Sequence, residues 1–199
     1  MNSLIAIVEG DGEVRALPAL LRRIASRLGR YDVTIQTPIR VHRDKFLNDS
    51  HEFRRMLRLA STKARDGRVM VLLDADDDCP VTLMRKIKEG ARSIIPVSQS
   101  LSVVIAQKEY EAWLLAAADS LAGQRGLPVD LVAPPNPESI RNAKGWLSER
   151  IANGRYHEVS DQAAFSATFD IDQALAASRS FRKFYKECEE ALRSGSAGV

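Results

Sequence analysis

"RVMVLLDAD", residues 68–76, is the stretch that decides the fold class. Its run 69–73 is apolar without interruption, so a strand formed here is buried on both faces. Such a strand is typical of a parallel sheet covered by helices. Two acids, Asp74 and Asp76, come at its carboxyl end, where open parallel sheets gather functional groups. The stretch therefore indicates both a fold class and the position of a site.

Strand-like and helix-like segments alternate around this stretch. The pattern predicts further strands at 4–8, 32–41 and 100–107, and helices at 13–29, 51–66, 80–92 and 108–121. We therefore predict an α/β fold with a mostly parallel central sheet flanked by helices.

The pattern changes after residue 122. Residues 123–137 hold four of the eight prolines, which predicts an irregular connection, and helical patterns return at 138–152 and 172–193. We predict a core domain over 1–122, and a connection with a C-terminal helical region over 123–199 that packs on it as a cap. The last six residues, "SGSAGV", are predicted to be disordered.

Composition narrows the class of protein. The 199 residues are 45% hydrophobic, with no apolar window of about 18 residues and no signal-peptide pattern, so we expect a cytoplasmic protein without a membrane partner. Cys79 and Cys188 lack disulfide-scaffold or zinc-site spacing. Residues 1–100 hold 18 Lys and Arg against 13 Asp and Glu, and residues 101–199 hold 11 against 13. The basic clusters of the first half, at 22–30, 54–58 and 85–92, fit solvated helix faces or a surface for a polyanion.

Acidic residues gather at two predicted strand ends. Glu9 ends the first strand, as Asp74 and Asp76 end the strand at 68–76, so these three should meet at one edge of the sheet. The loop after the first strand adds Asp11 and Glu13, and the loop after the strand at 68–76 adds Asp77 and Asp78. Because Asp77 and Asp78 precede Pro80, they also fit a turn or a helix cap. Because close carboxylates repel each other, a bound cation explains the cluster, and oxygen ligands favour Mg²⁺ or Mn²⁺. Asp78 is retained as a candidate ligand.

Two motifs carry a resemblance to a known family. "VEGDGE" (8–13), followed by "LLDADDD" (72–78), resembles the Toprim (topoisomerase-primase) catalytic core, whose signature is a Glu-Gly after the first strand and a later Asp-x-Asp. With "EAWLLA" (111–116) and "SRSFRKFYKECEEAL" (178–192), the chain is similar over nearly its whole length to small bacterial proteins of domain of unknown function family 4276.

The resemblance implies a Toprim-like fold and magnesium-dependent phosphoryl transfer. It implies that Glu9 is a metal ligand or general acid/base, that Asp74 and Asp76 hold the metal, and that Glu111 is a further ligand. The narrower family resembles effector nucleases of phage-defence systems, which act with an ATPase partner.

We therefore predict a metal-dependent nuclease that hydrolyses RNA or DNA. Its candidate catalytic residues are Glu9, Glu13, Asp74, Asp76 and Lys108, where Lys108 supplies a cation near the phosphorus after the strand at 100–107. Lys144 is a second candidate cation, and a surface role stays open for both lysines. Two other interpretations remain: an inactive or partner-activated Toprim-fold interaction subunit, and a nucleotide-sugar transferase in which Asp-x-Asp binds magnesium. A homodimer is left open.

Overall fold

The computed structural model describes residues 2–65, 67–152 and 154–193. Its strands are β1 (Asn2–Val8), β2 (Val33–Ile35), β3 (Ile39–Arg40), β4 (Arg68–Asp74) and β5 (Ser100–Ala106). Its α-helices are α1 (Asp11–Arg27), α2 (Arg43–Asn48), α3 (Ser50–Ala64), α4 (Pro80–Ala91), α5 (Glu111–Ala116), α6 (Ala143–Ser148), α7 (Ala163–Ser166), α8 (Ile171–Ala177) and α9 (Arg179–Arg193). The prediction for residues 194–199 concerns residues outside this set.

All strand pairs are parallel, and the sheet has the order β2-β1-β4-β5, with β3 also paired to β1. Side chains alternate between two cores because successive strand residues point to opposite faces. Met70 and Leu72 join α1, α5 and α9 on one face, whereas Val69 and Val71 join α3 and α4 on the other. The predicted α/β fold with flanking helices is confirmed, and it is consistent with a Toprim-like fold.

The prediction of one continuous strand over 32–41 is wrong, because the structure has two short strands there. Leu4 pairs with Ile35 and Ile7 with Ile39, so β1 advances three residues while the outer chain advances four. Pro38, which lacks a backbone donor, lies in the interruption. The extra residue breaks the segment into β2 and β3.

The C-terminal region packs against the α1 face of the sheet. The predicted helix over 172–193 is two helices, because Ser178 Oγ accepts a 2.9 Å hydrogen bond from the N–H of Phe181 and begins α9 there. A short 3₁₀ turn, Pro137–Ser139, and α6 replace the predicted helix at 138–152. A π-helical turn, Glu158–Gln162, precedes α7 and was not predicted. Among the described residues, no helix is both long and apolar enough to cross a membrane.

Candidate active site

A cleft of about 240 Å³ opens at the carboxyl ends of β1 and β4. These strands are neighbours, with Ile7 paired to Val71, so the residues that follow them arrive side by side. The cleft is lined by Glu9, Gly10, Glu13, Arg40, Val41, His42, Arg43, Asp74, Lys144 and Glu158. The sheet thus brings two of the predicted strand-end acids, Glu9 and Asp74, into one cleft.

Asp74 and Glu9 are held in surroundings that disfavour their charges. Asp74 is only 9% exposed, and its Oδ1 accepts a hydrogen bond of 2.9 Å from the N–H of Tyr110. Burial, followed by the charge of Glu13, raises the pKa of Asp74 well above its ordinary value. Burial and then the charge of Asp76 raise the pKa of Glu9. Glu9 Oε2 is buried without a hydrogen-bond partner among the described residues.

Glu13 is placed in the cleft by the start of α1. Its Oε2 accepts a 2.9 Å hydrogen bond from the N–H of Gly10, which satisfies a donor at the helix N-terminus. The side chain is 4% exposed, and burial together with the charge of Glu158 raises its pKa. A Cβ at Gly10 would lie 2.7 Å from Glu158 Oε1. A side chain at position 10 would therefore displace the ends of both acidic side chains.

Glu111, at the start of α5, lies behind the cleft and is fully buried. Its Oε1 accepts hydrogen bonds from Tyr156 Oη at 2.9 Å and from Gln162 Nε2 at 3.1 Å. Its Oε2 has no partner among the described residues. Burial raises the pKa of Glu111 to about 7, against the opposing charge of Lys144.

Lys144 is a cation that lines the same cleft as these acids. Its Nζ lies 2.8 Å from Glu158 Oε2. Burial alone would lower the pKa of Lys144, but Glu111 and Glu158 raise it, so the ammonium stays charged among the carboxylates. Lys144 partly neutralises a cluster that would otherwise be strongly repulsive.

The residues after Asp74 lie at the rim and have partners of their own. Asp76 has a left-handed backbone, with φ at 48°, and its Oδ2 lies 3.7 Å from Arg43 Nε. Asp78 is paired with the same guanidinium. Asp77 pairs with Lys108 at 3.0 Å and with Arg141 at 2.6 Å.

Lys108 lies beside a smaller pocket of about 150 Å³ rather than in the cleft. This pocket is lined by Asp76, Asp77, Lys108, Glu109 and Arg141. The structure thus brings Glu9, Glu13 and Asp74 together in the cleft, with Glu111 behind it and Asp76 at its rim. It places Asp78 against Arg43 and Lys108 against Asp77.

Sequence reasoning missed several residues of the cluster. Arg43 is 13% exposed, and its Nε donates to the carbonyl oxygen of Asp74 at 3.2 Å. Tyr156, Glu158 and Gln162 come from a stretch without a recognised motif. An isolated Arg after a short strand, or a Gln in an irregular segment, carries no sequence signal for such a role.

The donor set fits a hard divalent cation in its chemistry. The converging groups are oxygens, and the buried oxygens without partners include Glu9 Oε2, Glu111 Oε2 and Gln162 Oε1. Across the described residues, however, no three His, Cys, Asp or Glu side chains stand in an arrangement that could hold a metal ion. The site therefore has ligand chemistry suited to Mg²⁺ or Mn²⁺ without a finished ligand shell.

Comparison with known proteins gives one match. The family model described as "Domain of unknown function (DUF4276)" matches residues 8–189, a range that includes every acid of the cluster. No curated protein and no solved structure matches the chain.

Proposed function

The chain belongs to the DUF4276 family, and we propose that it is a metal-dependent nuclease of Toprim type that hydrolyses phosphodiester bonds in RNA or DNA. One observation carries the proposal: the carboxylates of Glu9, Asp74 and Glu111 converge from three elements, and two of them keep a buried oxygen without a partner. Such a cluster is stable only when a cation or protons compensate its charge.

Glu9, Asp74 and Asp76 would hold Mg²⁺ or Mn²⁺, with Glu111 as a further ligand. When bound, the metal would supply Lewis-acid stabilisation of phosphate charge and a water of lowered pKa. Asp76 is the most exposed of these acids, with 57% of its side chain accessible, so it can move toward a ligand without disturbing the core.

The cations at the cleft suit a phosphodiester. Arg43 is fixed by the carbonyl oxygens of Asp74 and Ala75, and Arg40 lines the same cleft. Arg40 also lies 3.3 Å from Asp11, the first residue of α1. Preorganised cations of this kind stabilise the charge that develops on a transferring phosphoryl group. In this proposal Lys108 contacts a flanking phosphate, since its pocket adjoins Asp76.

The proposal extends to a biological setting through the resemblance to phage-defence effectors. In that setting the nuclease acts with an ATPase partner. No three suitable side chains of the described residues are arranged to hold a metal, so in this proposal the ATPase or the substrate completes the ligand shell.

The test is cleavage of end-labelled tRNA, single-stranded RNA and duplex DNA by the purified protein with Mg²⁺, Mn²⁺ or EDTA. Asp76→Asn should abolish metal-dependent cleavage. Asp172→Asn is the matched control, because Asp172 is also an exposed aspartate facing an arginine, Arg27, but lies outside the cleft. A folded wild-type protein that cuts nothing, or an Asp76→Asn variant that cuts normally, would contradict the proposal as it stands and favour the interaction-subunit interpretation.

A further inference from the structure

The outer surface of α3 and α4 is strongly basic; we call it the α3–α4 face. Both helices cover the same side of the sheet, and they touch where the Phe53 ring lies against Gly90. Helix α3 carries four Lys and Arg against one Glu, and α4 carries three against one Glu. The Glu of α3 is already paired, since Glu52 binds Arg55 at 2.8 Å.

Apart from Arg55, the cations of this face lack ion-pair partners in the part of the chain that the structure describes. Exposed examples are Arg54, Arg58, Arg85 and Lys86. Uncompensated like charges on adjacent helices raise the energy of the free protein, and a polyanion relieves that repulsion.

The basic cluster of α1 is different, although the sequence shows it as equally basic. Arg23 donates to the carbonyl oxygens of Ser166 at 3.0 Å and Phe169 at 2.7 Å. Arg27 binds both carboxylate oxygens of Asp172, at 2.9 and 2.6 Å. These arginines hold the C-terminal region on the sheet. The structure thus separates two clusters that the sequence could not distinguish.

We propose that the α3–α4 face binds the phosphate backbone of a double-helical nucleic acid. This inference rests on the proposed function, because it names the form of the substrate. The reason is the chemistry of the face: it offers cations for phosphates but no exposed Phe, Tyr or Trp ring on which an unpaired base could stack. Phe53 is the only Phe, Tyr or Trp in the two helices, and its ring packs on Phe46 at 4.9 Å. A helix of 15 residues is about 22 Å long, which matches about six base pairs.

The face is continuous with the candidate active site. A depression of about 340 Å³ is lined by Arg43, Asn48, Asp78 and Lys86. Arg43 also lines the cleft, and Lys86, whose Nζ donates to Asn48 Oδ1 at 3.2 Å, belongs to the exposed surface of α4. A duplex lying on the face can therefore present one strand to the carboxylates.

The experiment measures binding without cleavage. The full chain in EDTA is titrated into fluorescent 20-base-pair duplex DNA, duplex RNA and the matching single strands, from about 50 to 200 mM salt, by anisotropy. Arg58→Gln/Arg85→Gln removes two cations from the α3–α4 face. Arg15→Gln/Arg22→Gln, on the opposite side of the sheet, removes the same charge from exposed residues of α1.

We expect tighter binding of duplex than of single strands. The slope of log K against log salt should become shallower by about 1.8 in the α3–α4 variant, at 0.9 for each lost phosphate contact, and should stay unchanged in the control. Comparison of the affinities for duplex DNA and duplex RNA shows which duplex is bound. Equal slopes in the two variants, or preferred binding of single strands, would overturn the inference. Because no metal is present, these results are separate from a failure of the cleavage test.

Discussion

Tyr156 donates a hydrogen bond of 2.9 Å to Glu111, although the two residues are 45 positions apart in the chain. Both are buried, and Gln162 Nε2 donates to the same carboxylate oxygen. The carboxylate that begins α5 is therefore oriented by the C-terminal region, since Tyr156 and Gln162 both belong to it. The candidate site is built jointly by the sheet and by the segment that packs over α1.

Stability without metal should fall as pH rises, and Glu111→Gln should reduce this fall. A pKa of about 7 in the folded protein exceeds the value of 4.5 for an unperturbed Glu. The protonated Glu111 therefore stabilises the folded protein fully below about pH 4.5, and this stabilisation is lost as pH rises through about 7. The contribution of Glu111 to this loss is at most about 3 kcal/mol. Urea unfolding in EDTA at several pH values between 4.5 and 8 measures the effect.

Glu111→Gln keeps the shape of the side chain and an acceptor for Tyr156 but cannot ionise. Its free energy of unfolding should decline less than that of the wild type over this pH interval. Parallel curves for the two proteins would show that Glu111 has the same pKa in the folded and the unfolded protein, and would contradict the raised pKa.

Mg²⁺ or Mn²⁺ should raise the melting temperature of the wild-type protein, and more at pH 8 than at pH 6. The cation replaces protons on the cleft carboxylates and relieves their repulsion. At a metal concentration 100 times Kd the stabilisation is about 2.7 kcal/mol. Asp74→Asn should lose most of it, whereas Asp172→Asn should keep it. Equal melting shifts in wild type and Asp74→Asn at matched ionic strength would remove Asp74 from the proposed ligands.

Gly12→Ala should destabilise the protein, although alanine favours helices by up to about 1 kcal/mol over glycine. A Cβ at Gly12 would overlap the Gln162 side-chain oxygen and lie 2.8 Å from Glu158 Cγ. Overpacking of this kind costs about 1–3 kcal/mol, so the clash should outweigh the helix propensity. Urea denaturation of Gly12→Ala, Gln162→Ala and the double variant measures the coupling. The double variant should recover part of the loss; a Gly12→Ala protein as stable as the wild type would show that the C-terminal segment is not held this close.

Native protein should react with Ellman's reagent at Cys79 and not at Cys188. Cys79 is exposed, and hydrogen bonds from Thr82 at the start of α4 lower its pKa. Cys188 is fully buried, and burial raises its pKa. One thiol should therefore react in buffer and two in denaturant, with Cys79→Ser as the control. Rapid reaction of both thiols in buffer would mean that α9 does not stay packed on the sheet.

The parallel sheet was predicted well from the sequence, because a strand that is buried on both faces consists of consecutive apolar residues. The continuous apolar runs of β1, β4 and β5 are buried on both faces, and each was predicted to within two residues. The interruption at Pro38 and the short helix α2 were missed, because two or six residues are too few to show a period.

Part of the candidate site could also be predicted from the sequence. Glu9, Asp74 and Asp76 follow buried strands, and parallel strands necessarily bring their carboxyl ends to one edge. Glu111 came from the resemblance alone. Arg43, Tyr156 and Gln162 depend on where irregular segments cross the sheet, which no local pattern specifies.

The sequence by itself determined which strands are buried and which acids end them, because hydrophobic periodicity acts over a few neighbouring residues. Tertiary structure decided the rest. Among the described residues, it left Arg54, Arg58 and Arg85 of the α3–α4 face without ion-pair partners. It paired Arg23 and Arg27 with the C-terminal region, Asp78 with Arg43, and Lys108 with Asp77. The physical reason is that the partner of a charged side chain depends on distances between segments far apart in the chain, and only the packed fold sets those distances.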